Sequence, residues 1–126
     1  MSNTLLAAAV LALAIGVVHS WLGERRLIMP LLDPERGANL LARSGFARQT
    51  LRFAWHITTL AWWGLAAILV ALAVAPIDAT GRLVLAVIAV TFAITGLVTL
   101  ATSRGRHLAW PIFFLIAALA ARPLWS

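Results

Sequence analysis

The sequence has no cysteine, no lysine and no tyrosine among its 126 residues, and only four acidic residues. Without cysteine, the chain can form neither disulfide bonds nor thiolate metal sites. Charged residues make up 11% of the chain and hydrophobic residues 63%, whereas soluble domains carry about a quarter charged residues. A chain this short has too little interior to hide so much apolar surface. The composition therefore excludes a soluble enzyme, a secreted disulfide scaffold and a disordered chain, and predicts an integral membrane protein of one domain.

Four apolar stretches are long enough to cross a bilayer, at about 18–25 residues each. They are continuously apolar, which favours helices over membrane strands, because a helix satisfies its own backbone hydrogen bonds in lipid. The short links at 76–81 and 103–106 force antiparallel neighbours. The sequence thus predicts an all-α integral membrane protein, an antiparallel up-down four-transmembrane-helix bundle spanning 1–126. The predicted helices are about 5–22, 51–75, 83–102 and 107–124, with a cytoplasmic loop at 23–50.

The arginines are distributed unevenly between the two predicted sides of the membrane. Only Arg82 and Arg122 lie on one side. The other eight of the ten lie in the loop after the first span or in the link between the third and fourth: Arg25, Arg26, Arg36, Arg43, Arg48, Arg52, Arg104 and Arg106. Basic residues are retained in the cytoplasm. We therefore expect a bacterial inner-membrane protein with both termini outside the cytoplasm, and a first span that is a retained helix, since it has no basic residues before it.

The long loop contains apolar clusters at 27–29 and 40–41, broken by Pro30, by Pro34 and by Gly37. These clusters are consistent with a short amphipathic segment on the inner leaflet. A solvated loop with two turns fits them equally well.

The three histidines, His19, His56 and His107, all fall at the predicted cytoplasmic ends of different spans. Neutral imidazole is a common ligand of zinc, copper and iron, and three imidazoles leave one position open on a tetrahedral metal. The sequence therefore predicts a transition-metal site (Zn, Cu or Fe) at these histidines, with Glu24 as a candidate further ligand. However, Glu24 is five residues from His19 and points about 140° away on a straight helix, so it is also a candidate partner for an arginine.

Two other interpretations of the histidines stay open. Two of the three could ligate haem b from facing helices, with arginines pairing with its propionates. Alternatively, they are interfacial residues beside tryptophans, with no cofactor. The position of His107 depends on Pro111, which either kinks the fourth helix or marks its first turn and leaves His107 in the link.

A stripe of basic residues is predicted on the second helix, where Arg48, Arg52 and His56 are spaced by four. Together with Arg104 and Arg106 they predict a cationic mouth for an anion or a lipid headgroup. The simpler interpretation is orientation plus attraction to anionic lipid.

These patterns predict a small polytopic inner-membrane protein with a histidine-based metal or haem site at the cytoplasmic interface. The alternative is a structural or accessory subunit without a cofactor, packing on itself or in a larger complex through the small-residue face of Ala12, Gly16 and Ser20. The lipid bilayer is the expected partner, and nucleic acid is not, because the arginines flank apolar segments. No nucleophile and base are adjacent in the sequence, so enzymatic activity is left open.

Overall fold

The computed structural model describes residues 1–33 and 44–125, and within these residues the chain forms helices and turns without strands. Three helical runs are long and apolar enough to cross a membrane: Asn3–Leu31, Gly45–Val74 and Ala79–Ser103. A shorter apolar helical run covers Trp110–Leu124. The all-helical prediction is confirmed, and the arrangement is compatible with a helical bundle. Arg36, Arg43 and the 40–41 cluster lie outside the described residues.

The first helical run extends well past residue 22, where the predicted first span ends. After helix α1 (Asn3–Gly23), the chain continues through a π-helical turn, Glu24–Ile28, into a short α-helical turn, Met29–Leu31. Within the π turn the Met29 N–H reaches back five residues to the Glu24 carbonyl. A proline ring clashes with the carbonyl four residues before it in an α-helix, and the wider turn just before Pro30 relieves that clash.

Helix α2 (Gly45–Val74) begins six residues before the predicted second span. Both ends of the predicted 23–50 loop are therefore helical, and the connection between α1 and α2 is shorter than the sequence indicated. Arg48 and Gln49, which precede the predicted span, are polar as in a loop, but they lie on a helix that continues past its apolar part.

One compact unit comprises residues 1–15 and the chain from Trp63 onward. Here α1 and α2 run antiparallel, since the Ser2 N–H donates to the Ala73 carbonyl at 2.7 Å. Helix α3 (Ala79–Ser103) packs on helix α4 (Trp110–Ala121), and Arg82 at the start of α3 donates to the carbonyl of Leu124 at 2.7 Å. The fully buried large side chains of this unit are Leu5, Leu69, Leu85, Ile88, Phe92 and Ile116.

The link between α3 and α4 turns through two residues with positive φ, Arg104 and Gly105. Helix α4 starts at Trp110 with Pro111 in its first turn. This decides between the two interpretations of Pro111: His107 lies in the link, ahead of the helix.

The second unit, residues 16–62, consists of the C-terminal end of α1 with its extension and the N-terminal part of α2. Gly16 and Gly23 are buried on α1, and Thr59 on α2 is only 3% exposed. The Trp55 indole occupies the position that a β-carbon on Gly23 would take. These small residues allow the helices to approach closely, which brings their polar side chains within hydrogen-bonding distance.

Candidate functional site

His56 lies between two polar side chains of α1, and both of its ring nitrogens have partners. Its Nδ1 is 2.9 Å from the Ser20 hydroxyl, and its Nε2 is 3.1 Å from Glu24 Oε2. Ser20 and Glu24 are four residues apart, so both lie on one face of the helix. A single imidazole on α2 therefore bridges a hydroxyl and a carboxylate on α1.

The protons in this network can be assigned for the neutral imidazole. A carboxylate only accepts hydrogen bonds, so His56 Nε2–H donates to Glu24, which leaves Nδ1 to accept from Ser20. The Ser20 hydroxyl then accepts in turn from Thr59 Oγ1, 2.8 Å away. This assignment uses the single Thr59 hydroxyl proton for Ser20, so the Gly16 carbonyl, 3.4 Å from Thr59 Oγ1, does not accept it in this protonation state. The result is a directed chain of hydrogen bonds from Thr59 through Ser20 and His56 to Glu24.

Arg52 binds the Glu24 carboxylate at the end of this chain of hydrogen bonds. Its Nη2 lies 2.9 Å from Glu24 Oε1, and its Nε donates to Oε2 at 3.3 Å. Each Glu24 oxygen thus accepts from Arg52, a two-point contact that fixes the plane of the carboxylate. The sequence predicts an arginine partner for Glu24 as the alternative to a metal, and the structure shows Arg52 in that position.

His19 has different surroundings, although it lies next to Ser20 in the chain. Its ring stacks on Trp55 with centroids 4.4 Å apart and planes 6° apart, and it meets Trp62 edge-on at 5.0 Å. Its Nε2 is 3.0 Å from the Thr58 hydroxyl. Because that hydroxyl donates to the Trp55 carbonyl at 2.7 Å, His19 Nε2 is the donor. These contacts hold the ring in an aromatic cage.

His107 belongs to the other compact unit. It is exposed, and its Nδ1 accepts from the Ala109 N–H at 3.3 Å. No group of three or more histidine or acidic side chains suited to a metal ion occurs within residues 1–33 and 44–125. The structure brings His56 together with Glu24, the candidate further ligand. The metal site at His19, His56 and His107 and the haem site remain predictions from the sequence.

An open groove of about 710 Å³ lies beside the polar network, between the extension of α1 and the start of α2. Three arginines line it, against a single aspartate. Its lining residues are Arg25, Met29, Pro30, Leu32, Asp33, Gly45, Arg48, Gln49 and Arg52. The groove and the network share Arg52. Of the basic residues predicted to form a cationic mouth, Arg48 and Arg52 lie here, whereas Arg104 and Arg106 lie in the link between α3 and α4.

Sequence reasoning missed Ser20, Thr59 and Arg25 as members of a site. A usable signal was present, because Ser20 and Glu24 are spaced by four on one helix and Arg52 and His56 by four on the next. Two such pairs face each other when the helices are antiparallel neighbours. Arg25 could not be found in this way, because no charged residue, serine or threonine lies four positions before or after it.

Comparisons with protein-family models, curated proteins and solved structures give no match for this chain.

Proposed function

We propose that this protein is a multi-pass inner-membrane protein that binds the phosphate group of an anionic lipid in its arginine-lined groove. The observation that carries the proposal is the convergence of Arg25, Arg48 and Arg52 on one groove. The planar guanidinium donates two parallel hydrogen bonds to phosphate oxygens and is the side chain best suited to them. Two carboxylates oppose the three guanidinium groups, Asp33 in the lining and Glu24, which pairs with Arg52. The groove therefore keeps a net positive charge, carried by Arg25 and Arg48 beyond these two carboxylates.

The lengths of the two helices support a position for the groove at headgroup level. Helical runs of 29 and 30 residues extend roughly 45 Å, whereas the hydrocarbon core is about 30 Å thick. About a third of each run therefore lies outside the core, and the groove is formed by the arginine-bearing ends. Met29, Pro30 and Leu32 in its wall offer apolar contact to the glycerol and first methylenes of a lipid.

The same proposal includes the topology. Three helices have the length and hydropathy of membrane spans, and we take the shorter apolar run Trp110–Leu124 as a fourth span. A span of that length is accommodated by local thinning of the bilayer and by flanking residues that reach the interface. The arginine bias places the groove in the cytoplasmic leaflet. Large apolar side chains are exposed on every long helix, which suits contact with lipid tails.

Titration of short-chain lipids into the purified protein tests this function. We expect dihexanoyl phosphatidylglycerol to bind, and Arg25→Gln and Arg48→Gln each to weaken it roughly 5-fold, since a basic side chain near a charged surface contributes about 1 kcal/mol. Arg26→Gln is the matched control, because Arg26 is the next residue, carries the same charge and lies outside the groove lining. Equal affinities in all three variants and the wild type would overturn the proposal.

Two further arms identify the ligand. Dihexanoyl phosphatidylcholine measures how much of the binding needs net negative charge, and inorganic phosphate measures how much needs the lipid. If inorganic phosphate binds as tightly as the lipid, the groove recognises a free anion. A double variant, Arg104→Gln with Arg106→Gln, tests the wider cationic mouth that the sequence predicts. If these two residues also bind the ligand, the double variant should lose as much affinity as Arg25→Gln or Arg48→Gln.

Elemental analysis and an absorption spectrum of the same preparation, purified without chelator, test the histidine predictions separately. One metal ion per chain or a Soret band would establish a cofactor, whatever the groove binds.

A further inference from the structure

The hydrogen-bonded chain through His56 has the order of groups that nucleophilic catalysis requires. A hydroxyl lies within hydrogen-bonding distance of an imidazole nitrogen, 2.9 Å in the case of Ser20. The opposite nitrogen of that ring lies 3.1 Å from a carboxylate, that of Glu24. Nucleophile and base in contact, with the base oriented by a third group, is the arrangement by which a serine is activated.

We propose that Ser20, His56 and Glu24 form a serine esterase site that cleaves an acyl ester of the lipid held in the groove. The choice of a lipid ester as substrate rests on the proposed function, whereas the activation of Ser20 rests on the network alone. Ser20 and His56 are the catalytic residues. Glu24 is a positioning residue, since it acts through His56.

The surroundings of the network hold His56 in the tautomer that this chemistry needs. Glu24 accepts from Nε2–H, and Arg52 fixes the carboxylate by contacting both of its oxygens. In the neutral imidazole, Nδ1 is thereby left without a proton and faces Ser20. In that state Ser20 donates to Nδ1 and the Thr59 hydroxyl, 2.8 Å away, donates to the Ser20 oxygen. Here Nδ1 is the basic nitrogen and Nε2 the oriented one, and either imidazole nitrogen can serve as the base.

The position of Ser20 suits the chemistry of a glycerophospholipid. Arg52 both lines the groove and contacts Glu24, so the phosphate site and the network are adjacent. Ser20 precedes Glu24 by four residues, which places it about 6 Å nearer the apolar middle of α1. In a glycerophospholipid, the acyl esters lie on the hydrocarbon side of the phosphate. A headgroup bound in the groove therefore has its esters on the side where Ser20 lies.

The reaction is an acyl transfer to serine followed by hydrolysis. Ser20 Oγ attacks the ester carbonyl carbon while its proton passes to His56 Nδ1. The bond between that carbon and the glycerol oxygen breaks, and His56 returns the proton to the glycerol oxygen, which releases a lysophospholipid. Water then attacks the acyl-serine, gives one proton to His56 and releases the fatty acid, and His56 returns that proton to Ser20. No oxidant, reductant or other co-reactant is needed.

Covalent labelling with a fluorophosphonate tests the activated serine without requiring a substrate. Serine attack on phosphorus expels fluoride and leaves a stable adduct that intact-mass and peptide spectra locate. We expect one adduct per chain, at Ser20, in wild-type protein purified in mild detergent. Because the site is read from the wild-type peptides, the result does not depend on whether any variant folds. No adduct, or an adduct at another residue, would overturn the proposal.

Variants then assign the roles. Ser20→Ala abolishes labelling, and Ser2→Ala is the matched control, since the Ser2 hydroxyl contacts Thr4 at 3.1 Å and no histidine. His56→Gln slows labelling by about 100-fold or more, the usual contribution of a general base. Undiminished labelling in His56→Gln would show that Ser20 reacts without the imidazole, and would overturn the proposal.

Glu24→Gln tests positioning through the pH profile of labelling. Loss of the carboxylate shifts the profile and lowers the plateau, and Glu24→Asp restores part of the plateau. A purely structural Glu24 would change protein stability and leave the profile of the folded fraction unmoved, which would exclude Glu24 from the site. The lipid titrations are independent of these experiments, because a protein that labels at Ser20 but does not bind phosphatidylglycerol keeps the activated serine and loses the lipid as its substrate.

Discussion

The indole of Trp55 lies directly over Gly23, in the space where any larger residue would place its β-carbon. The same indole donates to the His19 carbonyl at 3.2 Å and stacks on the His19 ring. Gly23, which has no side chain, thus leaves room for the Trp55 indole, and the indole in turn holds the His19 ring in place.

Gly23→Ala should lower stability, because the new methyl group collides with an indole held by a hydrogen bond and a stacked ring. We expect a loss of about 1–3 kcal/mol, the usual cost of forcing an extra carbon into a packed contact. Gly64→Ala is the control: it lies in the same pair of helices, and a β-carbon there meets nothing within 4 Å. It should be neutral or stabilising by up to about 1 kcal/mol. Thermal denaturation in detergent, with tryptophan fluorescence, measures both, and equal effects would contradict the contact.

Glu24 and Arg52 should show measurable coupling in a double-mutant cycle. Their side chains are 26% and 49% exposed, so solvent screens the pair, and a coupling energy of about 0.2–1 kcal/mol is expected. The cycle uses Glu24→Gln, Arg52→Gln and the double variant, with unfolding followed by denaturant titration. The coupling should shrink as salt is raised. A coupling of zero at low salt would mean that the carboxylate is not held by Arg52.

Thr59→Val should disturb the network although the side chain keeps its shape. Thr59 is almost fully buried, and its hydroxyl is the donor to Ser20 in the neutral network. Its loss should cost about 1–2 kcal/mol, since a buried hydrogen bond is removed and an acceptor loses its partner. Thr59→Ser keeps the hydroxyl and should retain the fluorophosphonate labelling rate, which Thr59→Val should lower. Equal labelling rates in the two variants would show that Thr59 does not direct the serine proton.

Asp78→Ala should destabilise α3 from its N-terminus. The Asp78 carboxylate accepts from the Gly81 N–H at 2.7 Å and caps the helix, and losing such a cap costs about 0.5–2 kcal/mol. Asp78→Asn retains an acceptor oxygen and should lie within a few tenths of a kcal/mol of the wild type. Helical circular dichroism during thermal unfolding measures the difference. Similar losses in the two variants would point to charge, rather than capping, as the function of Asp78.

The helices were predictable from the sequence because long apolar runs leave few alternatives to helix in lipid. Their ends were not, since the polar residues at 24–31 and 45–50 resemble a loop in composition. The π turn follows from a proline inside a helix, and a hydropathy pattern cannot distinguish that turn from a helix end. The start of the fourth helix was predicted better. One of the two positions predicted for Pro111 was the first turn of that helix, and the structure places it there.

The site was predicted in part. Helical spacing predicts an arginine partner for Glu24, without saying which arginine, and groups Arg48 with Arg52; the structure contains both features. The contact between Ser20 and His56 joins residues 36 positions apart, and it depends on the relative axial position of two helices. That position is set by small side chains such as Gly16 and Gly23, whose effect on spacing cannot be read from one sequence. Ser20 was seen only as a packing residue.

Because of the π turn at Glu24–Ile28, the shape of the groove depends on the exact number of residues in this part of the chain. A π turn holds one residue more than the α-helical turn it replaces, so it is equivalent to a single-residue insertion. Deleting one residue there would remove the extra residue of the turn and rotate the rest of this helical extension, through Leu32, by about 100° about the axis of α1. Ser20 would keep its place beside His56, while Met29 and Leu32 would leave the wall of the groove. A related chain with every polar residue of the network, but one residue shorter at this point, would therefore keep its hydroxyl and imidazole and have a groove of different shape.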